Sequence, residues 1–164
     1  MSAWPRPSTA DIGLRVYAPT FEGLLVDGAT GMLNILVSPK GARQLGTLVR
    51  HTSLWNIENA PGNHDDGLLL VAWLDEVLYH LEVHDRWLVD AQIRTSKHHK
   101  QRRLEAHVSW VDAQTIEREI EIKAVTTHEL AVINLEPGQV MESPWPDVPS
   151  MDGPGWAADV LFDI

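Results

Sequence analysis

The chain has 164 residues, 44% of them hydrophobic, no cysteine, and a formal net charge of −10. That length buries a core without staples, and the missing cysteine excludes disulfides, thiolate metal sites and a cysteine nucleophile while suiting a reducing, cytoplasmic setting. No apolar run approaches a membrane span, no basic start leads into an apolar core at the amino terminus, and the acidic balance disfavours direct nucleic-acid binding while suiting a basic partner or a cation.

Residues 1–10 carry Pro5 and Pro7 with little periodicity and read as an irregular lead-in. Residues 11–18 put Ile12, Leu14 and Val16 on one side and read as a strand. Thr20 suits the N-cap of a helix in which Phe21, Leu24, Leu25, Ala29, Met32, Leu33 and Leu36 recur at helical spacing, ended by Pro39 and Gly41. Gly23, Gly28 and Gly31 weaken that helix by about 1 kcal/mol each against alanine, yet allow close approach to a sheet. Residues 46–55 read as a strand and 59–63 as a turn. Asp65 or Asp66 caps a second helix over 67–83, with Leu70, Leu74, Val77 and Leu81 along one face.

Residues 87–93, 104–111 and 116–125 read as further strands. Between them, 97–103 hold Lys97, His98, His99, Lys100, Arg102 and Arg103: either a solvated hairpin tip or a patch facing phosphate or a partner. Residues 131–133 continue into another strand, closed by Pro137 and Gly138. Residues 143–155 include Pro144, Pro146, Pro149 and Pro154, which excludes a central strand and marks a loop inserted before the last strand at 156–163. No repeat or second domain shows, so 1–164 is expected to be one domain. The fold expected is α+β, with two helices packed on one face of a mostly antiparallel β-sheet.

Phosphate-loop, dinucleotide, H-E-x-x-H and G-x-S-x-G patterns are all absent, and the eight histidines show no usual zinc spacing. An enzyme is therefore the minority reading, although a Ser/His/Asp set assembled in space stays open. Two features carry chemistry. In EIKAVTTHEL, residues 121–130, Ile120, Ile122 and Ala124 alternate with Glu119, Glu121 and Lys123, so Glu121 and Lys123 share an outward face. They form a surface ion pair or jointly hold something charged. Asp11, at the edge of an apolar strand, and Asp163, followed only by Ile164 and its carboxylate, form an oxygen set suited to calcium or magnesium. The plainer alternative makes Asp11 a turn residue and Asp163 a solvated strand end.

EIKAVTTHEL resembles the signature of the archease family, usually close to EIKAVTYH. Residues 8–13, STADIG, resemble its amino-terminal HTADIG; residues 73–79, WLDEVLY, resemble its WLDELLY-like helix; and residues 160–164, VLFDI, resemble its closing motif. The four pieces occur in family order. The resemblance implies an archease-like two-layer sandwich and a non-enzymatic protein that activates the GTP-dependent RNA ligase RtcB, promoting its guanylylation and repeated turnover in tRNA splicing and RNA repair. It further implies a divalent cation, calcium first and magnesium or manganese as alternatives, at Asp11, Asp163 and Ile164, with Lys123, Glu121 and His128 on the activating surface. GTP and RNA belong to the ligase, and RNA is met only through it.

This chain departs from the pattern in places. Ser8 replaces the first motif histidine, Thr127 replaces the aromatic of TYH, a compact turn at 112–114 replaces a longer polar loop, and 143–155 is an addition. Two other readings accompany the first: a metal-dependent hydrolase built on Asp11 and Asp163, or a diverged archease fold serving another partner through residues 143–155.

Overall fold

A computed structural model of the chain describes residues 2–8, 11–58 and 65–164. Thr9 and Ala10 of the STADIG motif, and the turn expected at 59–63, lie outside the described residues. The elements are β1 (Ala3–Arg6), β2 (Ile12–Ala18), α1 (Phe21–Leu36), α2 (Pro39–Leu45), β3 (His51–Glu58), α3 (Asp66–His84), β4 (Arg86–His98), β5 (Gln101–Asp112), β6 (Ala124–Leu135), β7 (Val140–Met141), β8 (Met151–Asp152) and β9 (Gly155–Asp163).

The two long helices form where the apolar spacing places them. Thr20 Oγ1 caps α1 by accepting from Gly23 N–H at 3.0 Å. Asp65 Oδ1 caps α3 by accepting from Gly67 N–H at 2.7 Å and Leu68 N–H at 3.2 Å. Leu70, Leu74, Val77 and Leu81 are fully buried. On α1, a Cβ at Gly31 would press on Ala3 and Leu14, so the missing side chain lets the helix sit down on β1 and β2.

The architecture is α+β and every named strand pair is antiparallel. The strands fall into more than one sheet. A four-stranded sheet in the order β1-β2-β9-β6 and a three-stranded sheet in the order β3-β5-β4 share the helices. Helix α1 packs on β2 and on β4, and α3 packs on β6 and on β4. One apolar cluster runs through, from Leu14, Val160 and Phe162 past Leu24, Met32 and Trp73 to Trp55, Leu104 and Val108.

Five local expectations change. The lead-in contains β1, and its Pro5 is tolerated because β1 is an edge strand. Pro39 does not end all helix: Ser38 Oγ accepts from Gly41 N–H at 2.9 Å and starts the short α2. Residues 116–123 are not a regular strand, because Ser38 N–H bonds to Glu117 O at 3.1 Å and Glu119 N–H to Leu36 O at 2.9 Å, tying the segment to the α1–α2 junction. The segment 143–155 is looped for the most part, but its Met151–Asp152 pairs with Val140–Met141 as a small ribbon. Of the basic cluster, Arg102 turns inward, pairing with Asp66 and lying 4.7 Å from the centroid of the Phe21 ring, while residues 97–100 are exposed at the β4–β5 tip.

Candidate functional site

The register of the four-stranded sheet assembles one end of it. Ile12 pairs with Phe162 as the last pair of that ladder, and Asp11 and Asp163 are the next residues along at that end of the sheet. Asp163 also pairs with Ala124 of β6. Lys123 bonds twice to the end of β9: its main-chain N–H donates to Asp163 O at 2.7 Å, and its Nζ donates to Ile164 O at 3.1 Å. Asp11 is half-buried, and Asp163, Ile164, Glu121 and Lys123 are exposed. A cleft of about 570 Å³ opens beside them, lined by Arg118, Glu119, Ile120, Glu121, Lys123 and Ile164. Ile122 is buried between the exposed Glu121 and Lys123, as the alternation expects, but Ala124, expected inward, is exposed where the irregular backbone enters β6.

His128 stands apart from this group. Between Thr126, paired with Leu161, and Ala131, paired with Asp159, β6 carries 127–130 opposite Val160 alone. This wide bulge interrupts the ladder and turns Thr127, His128 and Glu129 to solvent. Glu129 sits at φ 54°, the left-handed region. Arg6 holds it there, with Nη2 donating to Glu129 Oε2 at 3.2 Å. Among the described residues the His128 side chain makes no hydrogen bond, ion pair or ring contact.

The face of the sheet away from the helices carries a buried polar network that periodicity did not disclose. Arg15 grips Asp159 with two bonds, Nε to Oδ1 at 2.9 Å and Nη2 to Oδ2 at 2.7 Å. This bidentate geometry raises the guanidinium pKa of Arg15, burial opposing it. Arg6 Nε lies 3.6 Å from the same carboxylate, and both guanidinium groups cover the Trp145 ring, at 5.1 and 4.8 Å from its centroid. Arg15 also donates to Glu142 O at 3.1 Å, and Tyr17 Oη to Pro149 O at 2.8 Å. These contacts clamp the proline-rich loop onto the sheet. They leave a second cleft, about 460 Å³, in which Arg6, Ser8 and Asp11 face Trp145 and Asp147. The available signal was the placement of Arg15 and Asp159 inside otherwise apolar strands.

The WLDEVLY helix reaches the site as well. Burial pushes the Asp75 carboxyl up, against a hydrogen bond from the Val125 main chain that lowers it. Asp75 thereby links α3 to the first turn-in of β6.

Among the described residues no three His, Cys, Asp or Glu side chains stand close enough to hold a metal ion by themselves. The set at this end is different in kind: two carboxylates, Asp11 and Asp163, with the main-chain oxygen of Ile164. Such all-oxygen donors, completed by water, fit a hard divalent cation and do not fit zinc or copper.

The chain matches the sequence model described as "Archease protein family (MTH1598/TM1083)" over residues 6–164. It is similar in structure to the solution structure of Methanobacterium thermoautotrophicum protein 1598, with a TM-score of 0.67 and 17% sequence identity over 99% of each chain. No curated protein matches it.

Proposed function

The chain belongs to the archease family, and from that membership we propose that it is a non-enzymatic, divalent-cation-binding activator of an RtcB-type, GTP-dependent RNA ligase. The observation that carries this reading is the convergence of Asp11, Asp163, Ile164 and Lys123 at one end of the sheet, with Lys123 bonded to both residues 163 and 164. Those residues come from three of the four motifs that gave the family resemblance.

In this reading the carboxylates of Asp11 and Asp163 and the main-chain oxygen of Ile164 hold the cation, calcium first and magnesium or manganese as alternatives. When bound, the cation supplies a fixed positive charge that orders the donors and faces a phosphate or an acidic group of the ligase. Lys123 adds a compact ammonium on a flexible stem beside it. Glu121 lines the same cleft, and His128 meets the partner from the bulge. Covalent chemistry stays with the ligase, which uses GTP and carries the RNA. The protein acts in the cytoplasm; among the described residues no helix is long and apolar enough to cross a membrane.

The experiment is formation of ligase–GMP by the cognate ligase with GTP and divalent metal, with and without substoichiometric amounts of this protein. A faster rate or more turnovers is expected. An unchanged yield and rate across a range of concentrations would sink the proposal.

A further inference from the structure

Lys123 uses an oxygen that the cation would also use. Its Nζ donates to Ile164 O at 3.1 Å. An ammonium and a hard cation both seek oxygen, and calcium sits about 2.3–2.6 Å from its ligands. Two positive charges on that one oxygen, one at each distance, repel. The backbone of Lys123 does not yield, because its N–H is bonded to Asp163 O at 2.7 Å. The side chain does, being exposed and joined to the backbone by four methylenes. It has somewhere to go: the 570 Å³ cleft it lines also holds Glu121, whose exposed carboxylate is two residues away on the same outward side.

We propose that Lys123 and the divalent cation compete for the main-chain oxygen of Ile164, so that cation binding releases the ammonium into the cleft where a partner meets it. The inference rests on the cation site proposed above and adds its regulation: the lysine is held back until the cation arrives. Linkage makes the effect reciprocal. If the cation weakens the hold on Lys123, Lys123 weakens the hold on the cation by the same factor.

The test is titration calorimetry of the whole protein with calcium alone, comparing wild type, Lys123→Met, Asp11→Asn and Asp163→Asn. Competition predicts that Lys123→Met binds calcium at least about fivefold more tightly than wild type, while both aspartate variants bind more weakly. A second readout follows the amine itself: reductive methylation of Lys123, read by mass spectrometry, speeds up at saturating calcium. Equal or weaker calcium binding by Lys123→Met overturns the competition. So does a methylation rate that calcium leaves unchanged. If the aspartate variants lose calcium while Lys123→Met matches wild type, the cation site stands and only the competition fails. If neither wild type nor Lys123→Met binds calcium, the site and the competition fall together.

Discussion

Arg6 lies across Gly13. The two residues pair between β1 and β2, and a Cβ at position 13 would stand against Arg6 Cγ and Nε. The glycine of the STADIG motif is therefore a passage: its missing side chain lets a buried arginine run over β2 and reach Asp159 and Glu129. The glycine and the bulge that presents His128 are parts of one arrangement. Gly13→Ala should cost about 1–3 kcal/mol, the usual penalty for overpacking. Chemical denaturation measures it. In an Arg6→Ala background the same substitution should cost less, and a double-mutant cycle without coupling would contradict the relationship.

The Arg15–Asp159 pair holds the proline-rich loop as well as the sheet. Both side chains are buried, so Asp159→Asn leaves guanidinium charge uncompensated and should destabilise by about 3–5 kcal/mol. Proteolysis within 143–149 should accelerate in the variant under native conditions. Unchanged stability together with an equally resistant loop would show the network to be dispensable.

His80 predicts an acid sensitivity. Its ring lies flat on Trp55, with centroids 3.7 Å apart and planes at 3°, and Nε2 is 3.1 Å from Glu76 Oε1. Burial lowers its pKa below 6.5, Glu76 opposes this, and Arg86 and His84 add to it. Above 6.5 the ring is neutral in both folded and unfolded chains. As the pH falls below that value the unfolded chain takes up a proton that the folded chain resists. Stability therefore drops, by at most about 1.4 kcal/mol per pH unit, until the folded form is protonated too. Urea midpoints from pH 8 to pH 5 should fall in wild type and fall less in His80→Phe.

Lys123→Ala should separate folding from activation. The side chain is exposed, so the loss of stability should stay within about 0.5 kcal/mol. Stimulation of ligase–GMP formation should nevertheless fall. A variant that melts early but activates fully per folded molecule would make Lys123 a structural residue.

Asp11→Asn and Asp163→Asn address the cation directly. Ligand binding raises stability by mass action, so calcium, magnesium or manganese should raise the melting temperature of wild type over chelator. Each substitution should shrink that rise. Identical shifts in all three proteins would put the cation somewhere else.

The sequence by itself determined what depends on near neighbours. The spacing of Leu70, Leu74, Val77 and Leu81 makes a helix face, and Thr20 and Asp65 cap their helices through bonds to residues two or three positions on. The outward placement of Lys123 beside buried Ile122 also followed from alternation. The motifs pointed to Asp11, Asp163 and Ile164, though not to their relation to Lys123. Only tertiary structure decided the rest, because the deciding partners are far apart in the chain. Arg15 and Asp159 are 144 residues apart, and Arg6 and Glu129 are 123 apart. Residues 116–123 carry a strand-like period of two, but their main chain is claimed by Leu36 and Ser38. Arg102 reads as part of a solvated basic cluster and is drawn inside by Asp66 and the Phe21 ring. A period reports which side of the backbone a residue takes; which distant group waits on that side is settled only when the strands pair.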